Sequence, residues 1–392
     1  MAEAAAPAGD RGRARIEVDL GALRDNYLRL AALVAPARVL PVLKADAYGH
    51  GAIEVARRLE ALGPVGFGVA RVEEGVELRR AGIAARILVF APPQAGWLET
   101  LASERLTPVV SSIEQLELVE RFAAATGWRA PIQLKVDTGM HRLGVPLEAA
   151  RDAFARLRSS PWLRWEGLLS HLAEADLPES PKNEAQERAF AELVEGLEPR
   201  ERERLEIHLA NSAAARTRPL ARWNVVRPGL ALFGGEPEGS EPPMRPVLAL
   251  KATLIQVKPI AEGETVGYGG RWRARSATRI GIVDVGYADG YPWRAGGRAD
   301  ALVGGRRVPV VGAVSMDLSA VELPDGVGEP GDDVVLVGRQ GEEQIGIGEL
   351  ARRAETIPYE ILCHLRMRLP RVWLDAPRDP AASVPAGVGA SS

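Results

Sequence analysis

The sequence is short of several things. One cysteine, Cys363, stands among 392 residues, so no internal disulfide framework can form, and a reducing, cytoplasmic setting fits. No stretch reaches the roughly 18 uninterrupted apolar residues of a membrane span, and the opening MAEAAAPAGDRGRAR has no apolar core of signal-peptide length. Charge of one sign is missing too: a net charge of −3 gives no general attraction to nucleic acid or anionic lipid, so neither is expected as a partner. Lysine is scarce, with Lys44, Lys135, Lys182, Lys251 and Lys258 against 44 arginines. Arginine is the default cation. A lysine kept beside an apolar run is therefore a candidate for chemistry closed to a guanidinium, because an amine can lose its proton and attack a carbonyl.

What is present points to two domains. Residues 1 to 14 and 376 to 392 are rich in Ala, Gly, Pro and Ser and read as disordered tails. From 15 to 240, strand-like and helical segments alternate. Asp19 can cap a helix in which Leu20, Leu23, Tyr27 and Leu30 recur at helical spacing. Strand candidates follow at 39 to 43, 65 to 69, 86 to 90, 106 to 110, 131 to 136, 166 to 170, 205 to 209 and 224 to 227, with helical stretches such as 51 to 62, 112 to 125, 146 to 158 and 182 to 196 between them. Eight strand-helix units predict a TIM-type (β/α)8 barrel, whose chemistry sits at the carboxyl ends of its strands. After the Pro/Gly/Glu linker at 234 to 246 the pattern changes to short alternating runs at 247 to 257, 279 to 285, 299 to 303, 306 to 311, 318 to 323 and 332 to 337, divided by turns such as Pro330-Gly331-Asp332. This predicts a mostly-β domain over 241 to 375.

The unusual polar residues fall at the barrel strand ends. Lys44 opens the turn of VLKADAYGHG after the first strand, Lys135 and the loop from Asp137 through Arg142 follow the fifth, and His171 follows the sixth. Asn211 and Ser212 follow the seventh, and Arg227-Pro228-Gly229 end the eighth. Each has a plain structural explanation when taken alone: Lys44 a surface lysine, Arg227 an ion pair, His171 a satisfied core histidine, Ser212 a helix cap. On one rim they suggest a cofactor carrying both a carbonyl and a phosphate, since Ser212 can donate a hydroxyl and Gly229 lets backbone amides approach an anion. Pyridoxal phosphate fits that description. No metal is expected.

VLKADAYGHG, KVDTGMHRLG, HLANSAA, VVRPGLALFG, VGYGGRW, VGYADGYP, SMD and TIPYE, in this order from about residue 15 to 373, closely resemble alanine racemase. The resemblance implies a pyridoxal-phosphate enzyme, a homodimer with shared active sites, that interconverts L- and D-alanine and so supplies D-alanine for peptidoglycan. It implies that Lys44 holds the cofactor covalently and is one catalytic base, acting on D-alanine, while Tyr268 of a partner chain is the other, acting on L-alanine. A relay through His171 to Arg227 supports the tyrosine, and Arg227 meets the pyridine nitrogen. Tyr48, Asn211, Ser212, Gly229, Leu230 and Tyr359 match cofactor contacts. Arg142, the main chain at Met316, and Tyr287 match the substrate side, and Lys135 matches a lysine that relatives carry as a carbamate.

Two positions depart from the family pattern at the substrate entrance: Ala313 and Trp293 stand where relatives often have arginine, with Arg294 one step late. Gating and side-chain selectivity are therefore open, and a racemase for serine or a basic amino acid stays a rival. So do a non-catalytic pyridoxal-phosphate carrier, which would need neither the β domain nor Tyr268, and a decarboxylase, for which holding the carboxylate with Arg142 would be counterproductive.

Overall fold

Around the first domain, short apolar strands meet edge to edge in a closed ring. The computed structural model describes residues 14–235, 243–365 and 368–374, so the expected tail at 1 to 14 apart from its last residue, the whole of that at 376 to 392, and the middle of the linker at 234 to 246 lie outside the described residues. Phe67–Val69, Ile87–Val89, Leu106–Val110, Ala130–Lys135, Leu163–Leu169 and Glu206–His208 form one parallel sheet in that order. Arg38–Val39 pairs in parallel with Val225–Val226. Val42 bridges to Gly68 on one side, and on the other the N–H groups of Asn224 and Arg227 donate to the carbonyls of Ile207 (3.3 Å) and Ala210 (2.9 Å). These links close the barrel, with strands at all eight positions expected.

Helices Ala52–Glu60, Ile113–Thr126, Ala150–Ser159 and Pro181–Glu195 fall in the stretches read as helical. Asp19 caps the helix Leu20–Val34 by accepting from the Ala22 N–H at 2.7 Å, and that helix buries Leu20, Leu23, Tyr27 and Leu30. The barrel nevertheless starts later than residue 15. Arg15–Asp19 is a strand of the other domain, antiparallel to Leu248–Ile260 and parallel to Arg371–Leu374. Its alternation explains this: Ile16 and Val18 are buried between less buried polar neighbours, the period of a sheet with one covered face. Even Ala14 is buried, with its N–H donated to Asp284 Oδ2 at 3.2 Å.

The second domain is a nine-stranded sheet organised on Leu248–Ile260, which pairs with Arg15–Asp19, Thr278–Val283 and Asp333–Gln340. Asp300–Val303, Arg306–Val311 and Ser319–Leu323 complete the runs read from the sequence. Glu343–Ile345, Arg371–Leu374 and the helices Ile347–Arg353 and Pro358–His364 add to them. One apolar core runs through both domains, with Leu23 and Leu30 in the same cluster as Val18, Leu248 and Leu250. At about 1.5–3 kcal/mol for each large aliphatic side chain buried, this packing fixes the β sheet against the barrel.

Candidate active site

Lys44 follows directly on the paired end of the first barrel strand, where Leu43 N–H donates to Gly68 O at 2.8 Å. The next four residues take an unusual course. Ala45, Asp46, Ala47 and Tyr48 all lie in the left-handed region, with φ of 53°, 57°, 52° and 53°, before Gly49 and Gly51 continue at positive φ. Left-handed backbone costs a non-glycine residue roughly 1–2 kcal/mol, so surrounding contacts must hold the turn. Glu74 supplies one set: its Oε1 accepts from the Ala45 N–H at 2.7 Å, while its Oε2 accepts from Ala70 (2.7 Å) and Arg71 (3.1 Å). One carboxylate thus ties the lysine turn to the end of the second strand.

Lys44 opens into a cavity of about 560 Å3 lined also by Tyr48, Lys135, Arg142, His171, Asn211, Ser212, Arg227, Gly229 and Tyr359. Leu230 is buried behind Gly229. Lys44, Lys135, Arg142 and Arg227 all face this space, and none forms an ion pair with a carboxylate of the described residues. Burial, then the charge of Arg142, lowers the pKa of the Lys44 amine, against opposing pulls from Cys363 and Glu74. Lys135 is brought down to about 8, by burial first and then by Arg227 and Arg142. Such a set of uncompensated cations calls for an anionic occupant.

The cradle for that anion is built of backbone. Ser212 begins the helix Ser212–Thr217 and Leu230 begins the 3-10 turn Leu230–Phe233, so their N–H groups have no partner within their own first turns. Ser212 Oγ accepts from Gly229 N–H (2.9 Å) and Ala231 N–H (3.2 Å), which binds the two turns together. A Cβ at Gly229 would stand 2.2 Å from Tyr48 Oη, so only glycine lets the tyrosine hydroxyl approach this backbone. The Tyr48 ring in turn packs 6.1 Å from that of Tyr359. Asn211 caps the first turn, its Oδ1 accepting from Ala214 N–H at 3.0 Å.

Arg227 is buried and fully engaged at its tips. Nη1 donates to His208 O (2.7 Å), and Nη2 donates to Ser170 O (2.6 Å), Leu209 O (3.1 Å) and His171 Nδ1 (3.3 Å). Burial lowers its pKa, yet three carbonyl acceptors stabilise the cation. His171 is held neutral, its pKa pushed well down by burial and then by Arg227. Because its Nδ1 accepts, the ring proton sits on Nε2.

Three expected site residues lie elsewhere in the chain. Tyr268, Tyr287 and Met316 line a separate cavity of about 530 Å3 in the β domain, together with Arg271, Trp293 and Ala313. Tyr268 is 77% exposed and Met316 54%. The Arg271 guanidinium lies 4.6 Å over the Trp293 ring, and Arg294 is drawn away to Glu355. Two residues with a clear part in the site escaped the sequence reading. Glu74 left only a weak signal, as the third residue of a helix of capping-box type. Gln186 is a buried amide on a helix otherwise read as cover, and it fastens the His171 loop by donating to His171 O (3.0 Å) and accepting from Ala173 N–H (2.8 Å).

Residues 18–237 match the family model for the alanine racemase N-terminal domain, and residues 247–373 match that for its C-terminal domain. The chain belongs to the alanine racemase family. It is 39% identical over 373 residues to the alanine racemase of Geobacter sulfurreducens, covering 92% of this chain and 96% of that one. Among solved structures, the alanine racemase from Streptomyces coelicolor superposes with a TM-score of 0.87 at 36% identity, over 93% of this chain and 98% of that chain. The Bartonella henselae alanine racemase, solved with covalently bound pyridoxal phosphate, superposes with a TM-score of 0.84 at 28% identity, over 92% and 99% of the two chains.

Proposed function

We propose that this chain interconverts L-alanine and D-alanine with pyridoxal phosphate as its cofactor, in a homodimer whose sites each draw on both chains. The observation that carries the reading is the cavity at Lys44, where a desolvated amine, three further cations without a carboxylate partner and a glycine-backed amide cradle meet in a member of the alanine racemase family. Bound there, pyridoxal phosphate supplies a carbonyl for the amine and an electron-withdrawing ring that acidifies the α-proton of an attached amino acid.

The chain's own residues do the rest. Lys44 holds the cofactor and exchanges a proton on one face of the substrate, its lowered pKa favouring the neutral amine. Ser212, Gly229 and Leu230 receive the phosphate, with Asn211 stiffening the Ser212 turn and Tyr48 and Tyr359 closing over it. Arg227 spends both tip nitrogens on carbonyls and His171, which leaves its Nε–H to donate to the ring nitrogen. A guanidinium is a very weak acid, so Arg227 would donate a hydrogen bond to the pyridine nitrogen without protonating it, which would temper the ring's pull on electrons and suppress transamination.

Arg142 binds the substrate carboxylate through its paired N–H donors. Lys135, with a pKa near 8, carries a carbamate that orients Arg142. The second base is Tyr268 of a second copy, with Tyr287 and Met316 beside it. Its exposure in one chain supports that role, because a phenol largely in water needs a partner surface to become part of a closed site. A lone Cys363, and no helix long and apolar enough to cross a membrane among the described residues, accord with a cytoplasmic enzyme supplying D-alanine for peptidoglycan.

Purified protein loaded with pyridoxal phosphate should abolish the optical rotation of L-alanine. Lys44→Ala should slow this by orders of magnitude and lose covalent capture of the cofactor on borohydride reduction. Undiminished rotation with cofactor bound, or a reduced adduct on Lys135 or Lys182, contradicts the reading.

A further inference from the structure

The left-handed turn after Lys44 is fastened from two sides, and the second fastening comes from the far end of the described chain. Arg371, in the strand Arg371–Leu374, donates from Nη2 to Asp46 Oδ2 at 2.7 Å and from Nε to Gly49 O at 2.9 Å. The pair is largely shielded, with side-chain exposures of 17% and 30%. Asp46 uses its other oxygen to accept from Ala52 N–H at 2.7 Å, at the start of the helix Ala52–Glu60. One carboxylate therefore joins the turn, the following helix and the last strand. That strand is itself fixed in register beside Arg15–Asp19, with Ile16 N–H donating to Pro370 O at 2.9 Å.

Three residues before Arg371, Arg368 makes a matching attachment to the β-domain loops. Its Nε donates to Asp289 Oδ1 at 2.7 Å, and it pairs with Asp317, next to Met316. Asp289 Oδ2 accepts from Gly286 N–H at 2.9 Å, which fixes the loop presenting Tyr287. A single short segment thus grips the Lys44 turn with one arginine and the Tyr287 and Met316 loops with another.

We propose that Arg371 is a positioning residue for Lys44: its two bonds hold the left-handed turn that sets the lysine in the cavity, and with Arg368 they make the last strand a strut between that turn and the β-domain loops. The proposal rests on the reading of Lys44 as the cofactor lysine. A fork of N–H donors suits this post, since it meets a carboxylate and a carbonyl at once, whereas an ammonium presents a single point of charge.

The test compares cofactor-loaded wild type with Arg371→Gln, Arg371→Lys and Asp46→Asn. Three readouts are taken: hydrogen exchange of amides 45 to 52, the pH midpoint of the cofactor's near-visible absorbance, and kcat with KM. Arg371→Gln and Asp46→Asn should each speed exchange in 45 to 52 while leaving 130 to 135 unchanged, move the midpoint, and lower kcat roughly 10- to 100-fold with little change in KM. Arg371→Lys should recover part of each loss. Wild-type exchange, midpoint and kcat in both Arg371→Gln and Asp46→Asn, with only the melting temperature reduced, would show that Arg371 merely anchors a strand and would overturn the proposal. Should Arg371→Gln not fold, Asp46→Asn decides alone, because an asparagine can keep its oxygen as the acceptor for Ala52 N–H while its amide nitrogen, which cannot accept, replaces the oxygen that meets Arg371. A wild type that bound pyridoxal phosphate without racemising alanine would refute the functional reading instead, and exchange at 45 to 52 would still decide the latch.

Discussion

Lys44 and Tyr268 sit in opposite surroundings although both are proposed to move the same proton. Lys44 shares its cavity with Arg142, and desolvation first and that charge second weaken its hold on a proton, whereas Tyr268 is 77% exposed in a separate cavity of its own chain. Two bases on opposite faces serve opposite enantiomers, so each loss should be one-sided. Tyr268→Ala should slow deuterium washout from α-labelled L-alanine far more than from α-labelled D-alanine. Equal slowing would indicate a single base or a structural tyrosine. Lys44 was legible in the sequence because lysine is so rare there. Glu74 and Arg371 were not, because what they do depends on bonds across 29 and 325 residues, which no local pattern reveals.

At the scale of elements, the turn 44 to 48 is where local preference and final structure disagree most. The sequence pattern there suggested a polar turn into a helix, and the helix Ala52–Glu60 follows, but four non-glycine residues first run left-handed. Only the packing around them explains this. Gly49, at φ 80°, brings its backbone so near helix Pro358–His364 that a Cβ would stand 2.2 Å from Leu362 O. Gly63, at φ 70°, has nothing within 4 Å of its Cβ position. Gly49→Ala should therefore destabilise the protein by at least about 2–3 kcal/mol in urea unfolding and weaken cofactor retention, while Gly63→Ala should cost about 1 kcal/mol and leave the cofactor in place. Equal effects of the two would mean that the contact with Leu362 does not hold the turn. Barrel strands were legible because buried parallel strands are continuous apolar runs. Arg15–Asp19 was not: its five alternating residues say strand, but only pairing with Leu248–Ile260 says which sheet.

For the whole molecule, burial of neutral histidines sets the response to acid. Burial lowers the pKa of His50 to about 4, and holds His171 and His208 well below the ordinary value. Unfolded, each titrates near 6.5, so below that pH the unfolded chain binds more protons than the folded one. Their contribution is complete above about pH 6.5 and is lost as pH falls toward 4, by up to about 1.4 kcal/mol per pH unit for each histidine. The melting temperature should fall clearly between pH 7.5 and pH 5. A constant or rising value would contradict the burial of these rings as neutral groups.

In the proposed enzyme each working site joins the Lys44 cavity of one chain to the Tyr268 surface of another. A two-fold dimer makes that sharing reciprocal. Inactive Lys44→Ala chains mixed with inactive Tyr268→Phe chains give hybrid dimers in which one site carries both lesions and the other carries neither. With random exchange about half the dimers are hybrids with one working site of two, so roughly a quarter of wild-type racemase activity should return. Activity that stays at the level of the parent variants, once subunit exchange has been demonstrated, would contradict the shared site.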